Sequence, residues 1–313
     1  MSFFKLLRWL FAGFCALIAL VPMAVAALCL ANPHRPQFYL VDILTLPAFS
    51  LCAVMTMVFL GLKQRVATGL CVAALAAFAV ALGPQILPRQ PPARPDARPI
   101  RVVFGNLYIH NTHPGTFLAF INAQHPDLII TVENAALSRK QIMWPLEAMG
   151  YAGRCDFGET KIYSRFPLTH CRHIPFDVVQ ADAATPQGPL AIVAVHLAEP
   201  IPFPGEAHHR QFDKLESELA GPDHRTTLMA GDFNSDFSAW RLQHLAGRLG
   251  LHPLPAWSGS WPTELPSFFR IPIDNAMAGD AWHLSHRAVS GDFGSDHRAI
   301  AFDLTPAQPS GAR

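Results

Sequence analysis

The first third of the chain is almost uniformly apolar, whereas the remainder alternates apolar and polar positions. Three apolar segments in this first third, residues 10–31, 43–62 and 66–87, approach the roughly 20 residues that a helix needs to cross a bilayer. Within residues 10–87 the only charged residues fall between these segments, at Arg35, Asp42, Lys63 and Arg65. We therefore predict that residues 1–87 form a membrane region with about three helices.

The basic residues around these segments predict how the chain is oriented. Lys5 and Arg8 precede the first segment, and Lys63 and Arg65 separate the second from the third. The positive-inside rule places both groups in the cytoplasm and the C-terminal part outside. The first segment also resembles a cleavable secretory signal, which would leave the C-terminal part outside as well. Opposing this orientation, four arginines follow the third segment: Arg89, Arg94, Arg98 and Arg101.

A proline-rich stretch separates the apolar region from the rest of the chain. Residues 84–99 read PQILPRQPPARPDARP. Proline fixes φ and removes a hydrogen-bond donor, which favours an extended and semi-rigid spacer. We assign residues 88–99 to a linker, residues 100–306 to a folded domain and residues 307–313 to a tail.

Within residues 100–306, short apolar runs rich in branched residues alternate with helical patterns. The runs are typical of buried strands, and they cover residues 100–107, 127–132, 161–164, 190–195, 226–230 and 298–304. The helical patterns cover residues 114–124, 138–149, 206–220 and 238–249, with Ser238 placed to cap the last one. This alternation predicts an α/β domain with its sheets inside and its helices outside.

Polar side chains occur at the ends of these predicted strands. Strand ends converge on one edge in layered α/β folds, so we expect the polar groups to share a pocket. They are Asn106, Glu133, His196, Asp232 and Asn234 after strands, Asp296 and His297 before the last strand, and Asp274 in a predicted loop.

The segment Gly231-Asp232-Phe233-Asn234 indicates hydrolytic chemistry. The two-residue period of a strand puts Asp232 and Asn234 on one face. A carboxylate there can orient an attacking water, and an amide can donate to a phosphoryl oxygen. An ordinary Asx-turn after a strand is the competing interpretation.

A second cluster, Ser295-Asp296-His297, offers a carboxylate for a cation and an imidazole for a phosphoryl group. Asp274 would hold the ring of His297 in one orientation. Glu133 directly follows a buried run and suits Mg²⁺, which prefers carboxylate oxygens. Taken singly, each of these residues also fits a turn, a cap or a solvated strand end.

The order of these motifs resembles the endonuclease/exonuclease/phosphatase superfamily over residues 100–304. The matching segments are Asn106, PDLIITVE (126–133), YSRFPL (163–168), VHL (195–197), GDFN (231–234), ID (273–274) and SDH (295–297). The resemblance implies a four-layer α-β-β-α sandwich, in which two packed mixed sheets are flanked by helices. It also implies hydrolysis of a phosphate ester or phosphodiester with Mg²⁺, for which Mn²⁺ can substitute.

The resemblance further implies a role for each matching residue. Glu133 would be the principal metal ligand, with Asn106 and Asp296 beside it, and Asp232 would orient or deprotonate the attacking water. Binding of the phosphate would fall to Asn234 and Arg165. The transition state would be stabilised by His196 and by His297, the latter oriented by Asp274; a weaker match would have Glu159 orient His196.

Charge bears on the choice of substrate. The segment 100–313 carries 16 Lys and Arg against 21 Asp and Glu, a formal charge of −5. Duplex binding needs several cationic contacts with phosphates, and the chain offers at most a local patch of Arg165, Arg210, Arg270 and Arg298. Attachment to a bilayer makes a phospholipid an equal alternative, and a small phosphoester stays open too.

Two further features leave alternatives open. Four aromatic residues before Asp274 would line an apolar pocket, contact the membrane or cover a core edge; they are Trp257, Trp261, Phe268 and Phe269. The soluble part holds only Cys155 and Cys171, which can form a disulfide if the domain faces an oxidising compartment; the sequence leaves open whether they pair. A catalytically inactive membrane-anchored scaffold is the competing function, and the sequence indicates no protein partner.

Overall fold

The computed structural model describes residues 3–35, 38–200 and 205–309. Its N-terminal region consists of the apolar helices α1 (Phe3–Ala31), α3 (Thr45–Gly61) and α4 (Arg65–Ala81), with the short α2 (Tyr39–Ile43) between the first two. Small and sulfur-containing side chains lie at the contacts between the long helices, among them Cys15, Ala19, Cys52 and Ala74. Such residues allow helices to approach closely in an apolar environment.

Among the described helices, α1, with 29 residues, is the one long and apolar enough to span a membrane. The apolar helices α3 and α4 have 17 residues each. The third predicted segment ends earlier than expected, at Ala81, because Gly83 and Pro84 begin a separate short helix, α5 (Gly83–Ile86). Large apolar side chains on all three long helices face outward, for example Leu17, Met57 and Val66.

Twelve strands occur among the described residues of the C-terminal domain. The first six are β1 (Ile100–Asn106), β2 (Leu128–Val132), β3 (Gly153–Phe157), β4 (Thr160–Ser164), β5 (Leu168–Ile174) and β6 (Val178–Thr185). The others are β7 (Gly188–His196), β8 (Thr227–Asp232), β9 (His252–Pro253), β10 (Asp274–Ala278), β11 (Trp282–Val289) and β12 (Ile300–Pro306). They form two six-stranded mixed sheets, with strand orders β11-β12-β1-β2-β4-β3 and β5-β6-β7-β8-β10-β9.

Helices cover the outer faces of both sheets. One sheet carries α6 (Phe117–Gln124) and α8 (Trp144–Ala148), with the short α7 (Ala136–Ser138) between them in the chain, and the other carries α9 (Glu206–Leu219) and α10 (Trp240–Leu249). One apolar core lies between each sheet and its helices. A third lies between the two sheets, where alternate side chains such as Phe104, Ile130 and Ile192 meet. The predicted four-layer sandwich is therefore confirmed.

Three local predictions were wrong. Asp274 does not lie in a loop but begins β10, which pairs antiparallel with β8 and sets Asp274 opposite Asp232. The predicted helix over residues 138–149 is interrupted by a π-helical turn, Arg139–Met143, ahead of Pro145. Ser238 does not cap the last helix, because α10 begins at Trp240 after Ala239, and the Ser238 hydroxyl bonds Asp236 instead.

The proline-rich linker packs on the domain rather than standing away from it. Ala93 forms a β-bridge with Ala307, and the Arg94 amide donates to the Pro306 carbonyl at 2.8 Å. The side chain of Gln90 bonds the Pro253 carbonyl at 2.9 Å and the Leu284 amide at 2.7 Å. The stretch is therefore extended, as proline predicts, but it is held to the domain edge.

Cys155 on β3 and Cys171 on β5 form a disulfide, with their Cα atoms 5.7 Å apart. The pairing that the sequence left open is therefore present in the structure. The reason is topological: β3 and β5 are edge strands of the two different sheets, and packing of the sheets brings them together. The disulfide cross-links the two sheets, and such bonds persist in oxidising compartments.

Candidate active site

Strand register gathers the predicted polar residues at one edge of the two sheets. In the first sheet β1 and β2 run parallel, so that Asn106 pairs with Val132 and lies beside Glu133. In the second sheet β7 and β8 run parallel, with His196 opposite Asp232. The strand ends of both sheets thus place amide, carboxylate and imidazole groups around one cavity.

Close approach of two strands explains the glycine before Asp232. A Cβ atom added at Gly231 would overlap the backbone carbonyl of Val195 on the neighbouring β7. Only glycine leaves room for this contact. The glycine therefore sets the position from which Asp232 enters the cavity.

Glu133 leaves β2 with a left-handed backbone, at φ 53°. Its carboxylate accepts from the Asn106 amide nitrogen at 2.6 Å and from the Ile109 backbone amide at 3.1 Å. Asn234, which also lines the cavity, has φ 46°. Left-handed backbone costs about 1–2 kcal/mol for a side chain other than glycine, and such strain is common at functional sites.

Asp232 is almost completely buried. Its two oxygens accept from the Asn234 backbone amide at 2.8 Å and from the Asn106 amide nitrogen at 3.1 Å. Burial raises the pKa of Asp232 to about 6, while the neighbouring His297 counteracts this and Asp274 adds to it. A carboxylate with such a pKa is a suitable proton acceptor near neutral pH.

His297 is held between two buried carboxylates. Its Nδ1 lies 2.9 Å from Asp274 Oδ2, and its Nε2 lies 3.7 Å from Asp232 Oδ2. Burial lowers the pKa of His297, but Asp274 and Asp232 outweigh burial and raise it to about 10. Asp274 therefore fixes the ring, as the sequence predicted, and the imidazole is a cationic donor at neutral pH.

His196 has a different carboxylate partner from the one predicted. Its Nδ1 lies 3.4 Å from Asp177, in the turn between β5 and β6, and its Nε2 lies 3.6 Å from Glu133. Burial lowers the pKa of His196, but hydrogen bonding to Asp177 and the charges of Asp232 and Glu133 produce a net rise. Glu159 lines the cavity and its backbone carbonyl accepts from Asn134, but Asp177 orients the ring.

Two groups of side chains have the composition of a cation site. Ligand atoms of Glu133, His196 and Asp232 all lie within 4.8 Å of one another, and the same holds for Asp232, Asp274 and His297. Both groups offer two carboxylates, but the first fits Mg²⁺ or Mn²⁺ better because it is partly exposed, whereas the second is fully buried. In the second group His297 already engages Asp274.

The other two predicted ligands make other contacts. The Asn106 amide nitrogen faces Glu133 and Asp232, and its oxygen accepts from the Tyr108 backbone amide at 2.9 Å. Its role as a ligand therefore requires the amide to rotate. Asp296 lines the cavity, with Oδ2 bonded to Trp261 Nε1 at 3.1 Å, and no described residue bonds its buried Oδ1. That oxygen is available to a ligand.

The family model for endonuclease/exonuclease/phosphatase proteins matches residues 104–297, more than half of the chain. The chain belongs to this family. Comparison with curated protein sequences finds no match. The matched segment includes every side chain described above at the cavity, so the family assignment covers the whole candidate site.

Solved structures share the fold at low sequence identity. A family member from Beutenbergia cavernae aligns with a TM-score of 0.54 at 19% identity, covering 69% of this chain and 73% of that one. D. rerio TDP2 in complex with a single-strand DNA product gives 0.54 at 14%, with coverages of 66% and 99%. A mutant Staphylococcus aureus beta toxin with bound magnesium ions gives 0.53 at 11%, again covering 66% and 99%.

Arg165, predicted to bind substrate, lies away from this family site. Its backbone amide bonds the carbonyl of Asp127, just before β2, whereas Glu133 follows the other end of that strand. Its guanidinium donates to the carbonyls of Pro126 and Met149 and stacks on Tyr151. The antiparallel register of β4 on β2 separates Arg165 from the cavity by the strand length, roughly 17 Å. Among the described residues, the structure thus does not bring Arg165 to the cavity.

The cavity itself has a volume of about 610 Å³ and two unlike sides. The acids and histidines of the family site form one side. Apolar side chains form the other, including Trp261 and Ile273 from the domain and, unexpectedly, Leu40 and Leu44 from the N-terminal region. Nothing in the local sequence around Leu40 indicates contact with a distant domain.

A hydrogen-bonded link joins α2 to the GDFN segment. The Tyr39 hydroxyl lies 3.0 Å from His208 Nε2 and donates to the Asn234 carbonyl at 3.1 Å. His208 Nε2 lies 3.1 Å from the Phe233 carbonyl. Burial, with smaller contributions from His209 and Arg241, lowers the pKa of His208 to about 3, so its ring is neutral. Sequence reasoning singled out neither Tyr39 nor His208.

Proposed function

We propose that the protein hydrolyses a phosphate ester or phosphodiester in a divalent-metal-dependent reaction at the Asp232 site. The observation that carries this proposal is the convergence of buried Asp232 with Glu133 and His196 on one side and His297 on the other. Family membership supports the same class of reaction. An inactive scaffold would have no use for so many buried ionisable groups in one cavity.

The chain's own residues supply the proton transfers. A carboxylate oxygen of Asp232 takes a proton from water as the water oxygen forms a bond to phosphorus. The bond from phosphorus to the leaving oxygen breaks, and that oxygen gains a proton from the His297 imidazolium. His297, cationic beside Asp274 and Asp232, stabilises charge on the phosphoryl or leaving oxygen. The products are an alcohol and a phosphate with one ester bond fewer.

Two other groups position the phosphate. Asn234 uses its amide nitrogen to bond the Leu197 carbonyl at 2.8 Å, and the second hydrogen of that nitrogen can serve a phosphoryl oxygen. His196, held by Asp177, offers a second imidazole on the Glu133 side. These placements support phosphate binding between the two histidines.

Glu133 would hold the metal together with one carboxylate oxygen of Asp232, and the free oxygen of Asp296 would serve as a further ligand or water acceptor. A bound Mg²⁺ or Mn²⁺ would neutralise phosphate charge and polarise the ester. The magnesium ions in the similar beta toxin fold support this choice of cation.

We further propose that the N-terminal helices anchor the protein in a bilayer, with the catalytic domain outside. The length and hydropathy of α1 support a membrane span. Besides Tyr39, several residues of this region contact the domain: His34 stacks on Trp240, Ser50 donates to the Phe268 carbonyl at 2.6 Å, and Gln85 donates to the Ala256 carbonyl at 3.2 Å.

These contacts agree with the orientation that the sequence predicts. His34, Ser50 and Gln85 lie near the end of α1, the start of α3 and the end of α4, respectively. Lys5, Arg8, Lys63 and Arg65 lie at the opposite helix ends, where the positive-inside rule expects cytoplasm. The Cys155–Cys171 disulfide supports an external, oxidising location for the domain, such as the periplasm.

The test is an ester assay with the purified full chain in detergent or nanodiscs. Bis(p-nitrophenyl) phosphate, DNA, RNA, phospholipids and inositol phosphates are compared with Mg²⁺, Mn²⁺ or EDTA. We expect metal-dependent turnover of at least one ester, and its loss in an Asp232→Ala, His297→Ala double variant. Equal turnover by wild type and double variant, or none by either, would support the inactive scaffold.

A further inference from the structure

The apolar side of the catalytic cavity is built partly by the N-terminal region. Leu40, Ile43 and Leu44 line the same cavity as Glu133 and Asp232. These three residues lie in and just after α2, between the two apolar helices α1 and α3. The cavity is therefore shared between the catalytic domain and the anchor.

The α2 segment is docked firmly enough to serve as a wall. Ile43 is buried in a cluster with Ile271 and Ile273 of the domain, and Leu40 packs against the same cluster. The Tyr39 hydroxyl donates at 3.1 Å to the backbone carbonyl of Asn234, the last residue of the GDFN segment. Packing and hydrogen bonding thus fix the segment next to the residues that face the phosphate.

Leu44 shows that this wall is not simply a buried core contact. It is the last residue before α3 and leaves 42% of its surface exposed while lining the cavity. Covering such an apolar surface with a hydrocarbon group is favourable, because it removes apolar area from water. Charged groups lie across the same cavity, so its two sides match the two ends of an amphiphile.

Neighbouring surfaces place this opening at the membrane. The wall lies between α1 and α3 in the chain and leads directly into α3, whose exposed large side chains are apolar. Trp257 and Phe268 are 67% and 51% exposed, and the Phe268 carbonyl contacts Ser50 of α3. Exposed aromatic residues of this kind are typical of the membrane interface.

From this arrangement we infer that the substrate is an amphiphilic phosphoester, whose hydrocarbon chain lies on Leu40, Ile43 and Leu44 while its phosphate reaches Asp232. The inference rests on the proposed hydrolase function and extends it to a substrate class. The formal charge of −5 over residues 100–313 disfavours a polyanionic nucleic acid in the same cavity.

The experiment measures kcat/KM of the full chain in nanodiscs for methyl, butyl and octyl p-nitrophenyl phosphate. Wild type is compared with Leu44→Ser for each ester. The ratio of their kcat/KM values cancels the partitioning of that ester into the nanodisc. A fully buried methylene contributes about fourfold to binding. We expect the ratio to stay within about twofold for the methyl ester and to reach roughly tenfold for the octyl ester.

Two further variants guard against misfolding and general effects. Leu44→Trp places a larger side chain on the apolar side of the cavity. We expect it to slow hydrolysis of the octyl ester while retaining turnover of the methyl ester. Leu51→Ser makes the same change as Leu44→Ser on an outward face of α3, where Leu51 is exposed, and should leave the chain-length dependence unchanged.

The outcomes separate the two levels of the proposal. Hydrolysis of all three esters with a ratio that does not depend on chain length overturns the amphiphile inference and leaves the hydrolase function standing. Turnover of single-stranded DNA above that of the octyl ester likewise overturns it. Absence of hydrolysis of every ester with Mg²⁺ or Mn²⁺ overturns the hydrolase function and, with it, the inference.

Discussion

The Tyr39 hydroxyl donates a 3.1 Å hydrogen bond to the backbone carbonyl of Asn234. Tyr39 belongs to the short helix between two apolar helices, and Asn234 belongs to the GDFN segment of the catalytic domain. This bond fixes the anchor on the residue proposed to bind phosphate. It makes the N-terminal region part of the site, in addition to its proposed role as a tether.

Removal of that hydroxyl should loosen the site without changing its apolar packing. In Tyr39→Phe we expect a loss of about 1 kcal/mol in unfolding free energy and a roughly tenfold fall in kcat/KM from displacement of Asn234. Tyr163→Phe is the matched control, because the Tyr163 hydroxyl is buried without a hydrogen-bond partner among the described residues. Equal effects of the two changes on kcat/KM would contradict the role given to Tyr39.

The close contact between β7 and β8 predicts a sharp effect at Gly231. Gly231→Ala places a Cβ against the Val195 carbonyl, and we expect a loss of about 3 kcal/mol or more in stability. In Gly247→Ala, on α10, the added Cβ meets nothing within 4 Å, so this control should gain about 0.5–1 kcal/mol. Thermal unfolding in detergent, followed by circular dichroism, measures both. An unchanged melting temperature for Gly231→Ala would refute the argument.

His208 predicts a dependence of stability on pH. Burial, aided by His209 and Arg241, lowers its folded pKa to about 3, against about 6.5 in the unfolded chain. Between these values only the unfolded state binds the proton, so stability is full above pH 6.5 and falls as the pH drops. The contribution of His208 should fall by about 2 kcal/mol from pH 7 to pH 5.

A variant isolates this effect from other titrating groups. His208→Gln has no ionisable ring, so its unfolding free energy should change less than that of wild type over the same interval. The test is the difference between the two proteins in urea unfolding at pH 7 and pH 5. Parallel pH dependences would show that His208 does not titrate as its burial requires.

The carboxylate that orients His196 can be identified by paired substitutions. Asp177 lies 3.4 Å from His196 Nδ1, so Asp177→Asn should lower kcat by roughly tenfold to a hundredfold. Glu159→Gln keeps the backbone carbonyl that bonds Asn134 and should have a smaller effect. A larger loss in Glu159→Gln would reverse the assignment.

Glu133 predicts the response to metal. In Glu133→Gln we expect a rise of more than tenfold in the Mg²⁺ concentration needed for half-maximal turnover, because a neutral amide binds a hard cation weakly. Glu147→Gln changes an exposed surface carboxylate that pairs with Arg154 and should not shift the Mg²⁺ requirement. A Glu133→Gln enzyme with an unaltered Mg²⁺ titration would exclude Glu133 as the ligand.

Much of this site follows from local sequence patterns. Asn106, Glu133, His196 and Asp232 end apolar runs, and parallel pairing of those runs brings their ends together. The order of the motifs then indicates the family. Period and order are properties of the chain itself, so they can be read without coordinates.

The errors arise where non-local pairing decides the outcome. Asp274 occurs in a short segment with a turn-forming Asn275, and only its pairing with β8 makes it a strand. Asp177 reaches His196 from a turn, and no periodic pattern predicts that contact. Tyr39 is one aromatic residue in an apolar region, and its bond to Asn234 depends on docking of the anchor on the domain.

The most direct test of the central claim is hydrolysis of bis(p-nitrophenyl) phosphate by the full chain in ¹⁸O-labelled water with Mg²⁺, with mass spectrometry of the product monoester. The account predicts one ¹⁸O atom in each product molecule formed by wild type. It also predicts no product above background from the Asp232→Ala, His297→Ala variant. Unlabelled product, or equal turnover by the double variant, would contradict water attack at the Asp232 site.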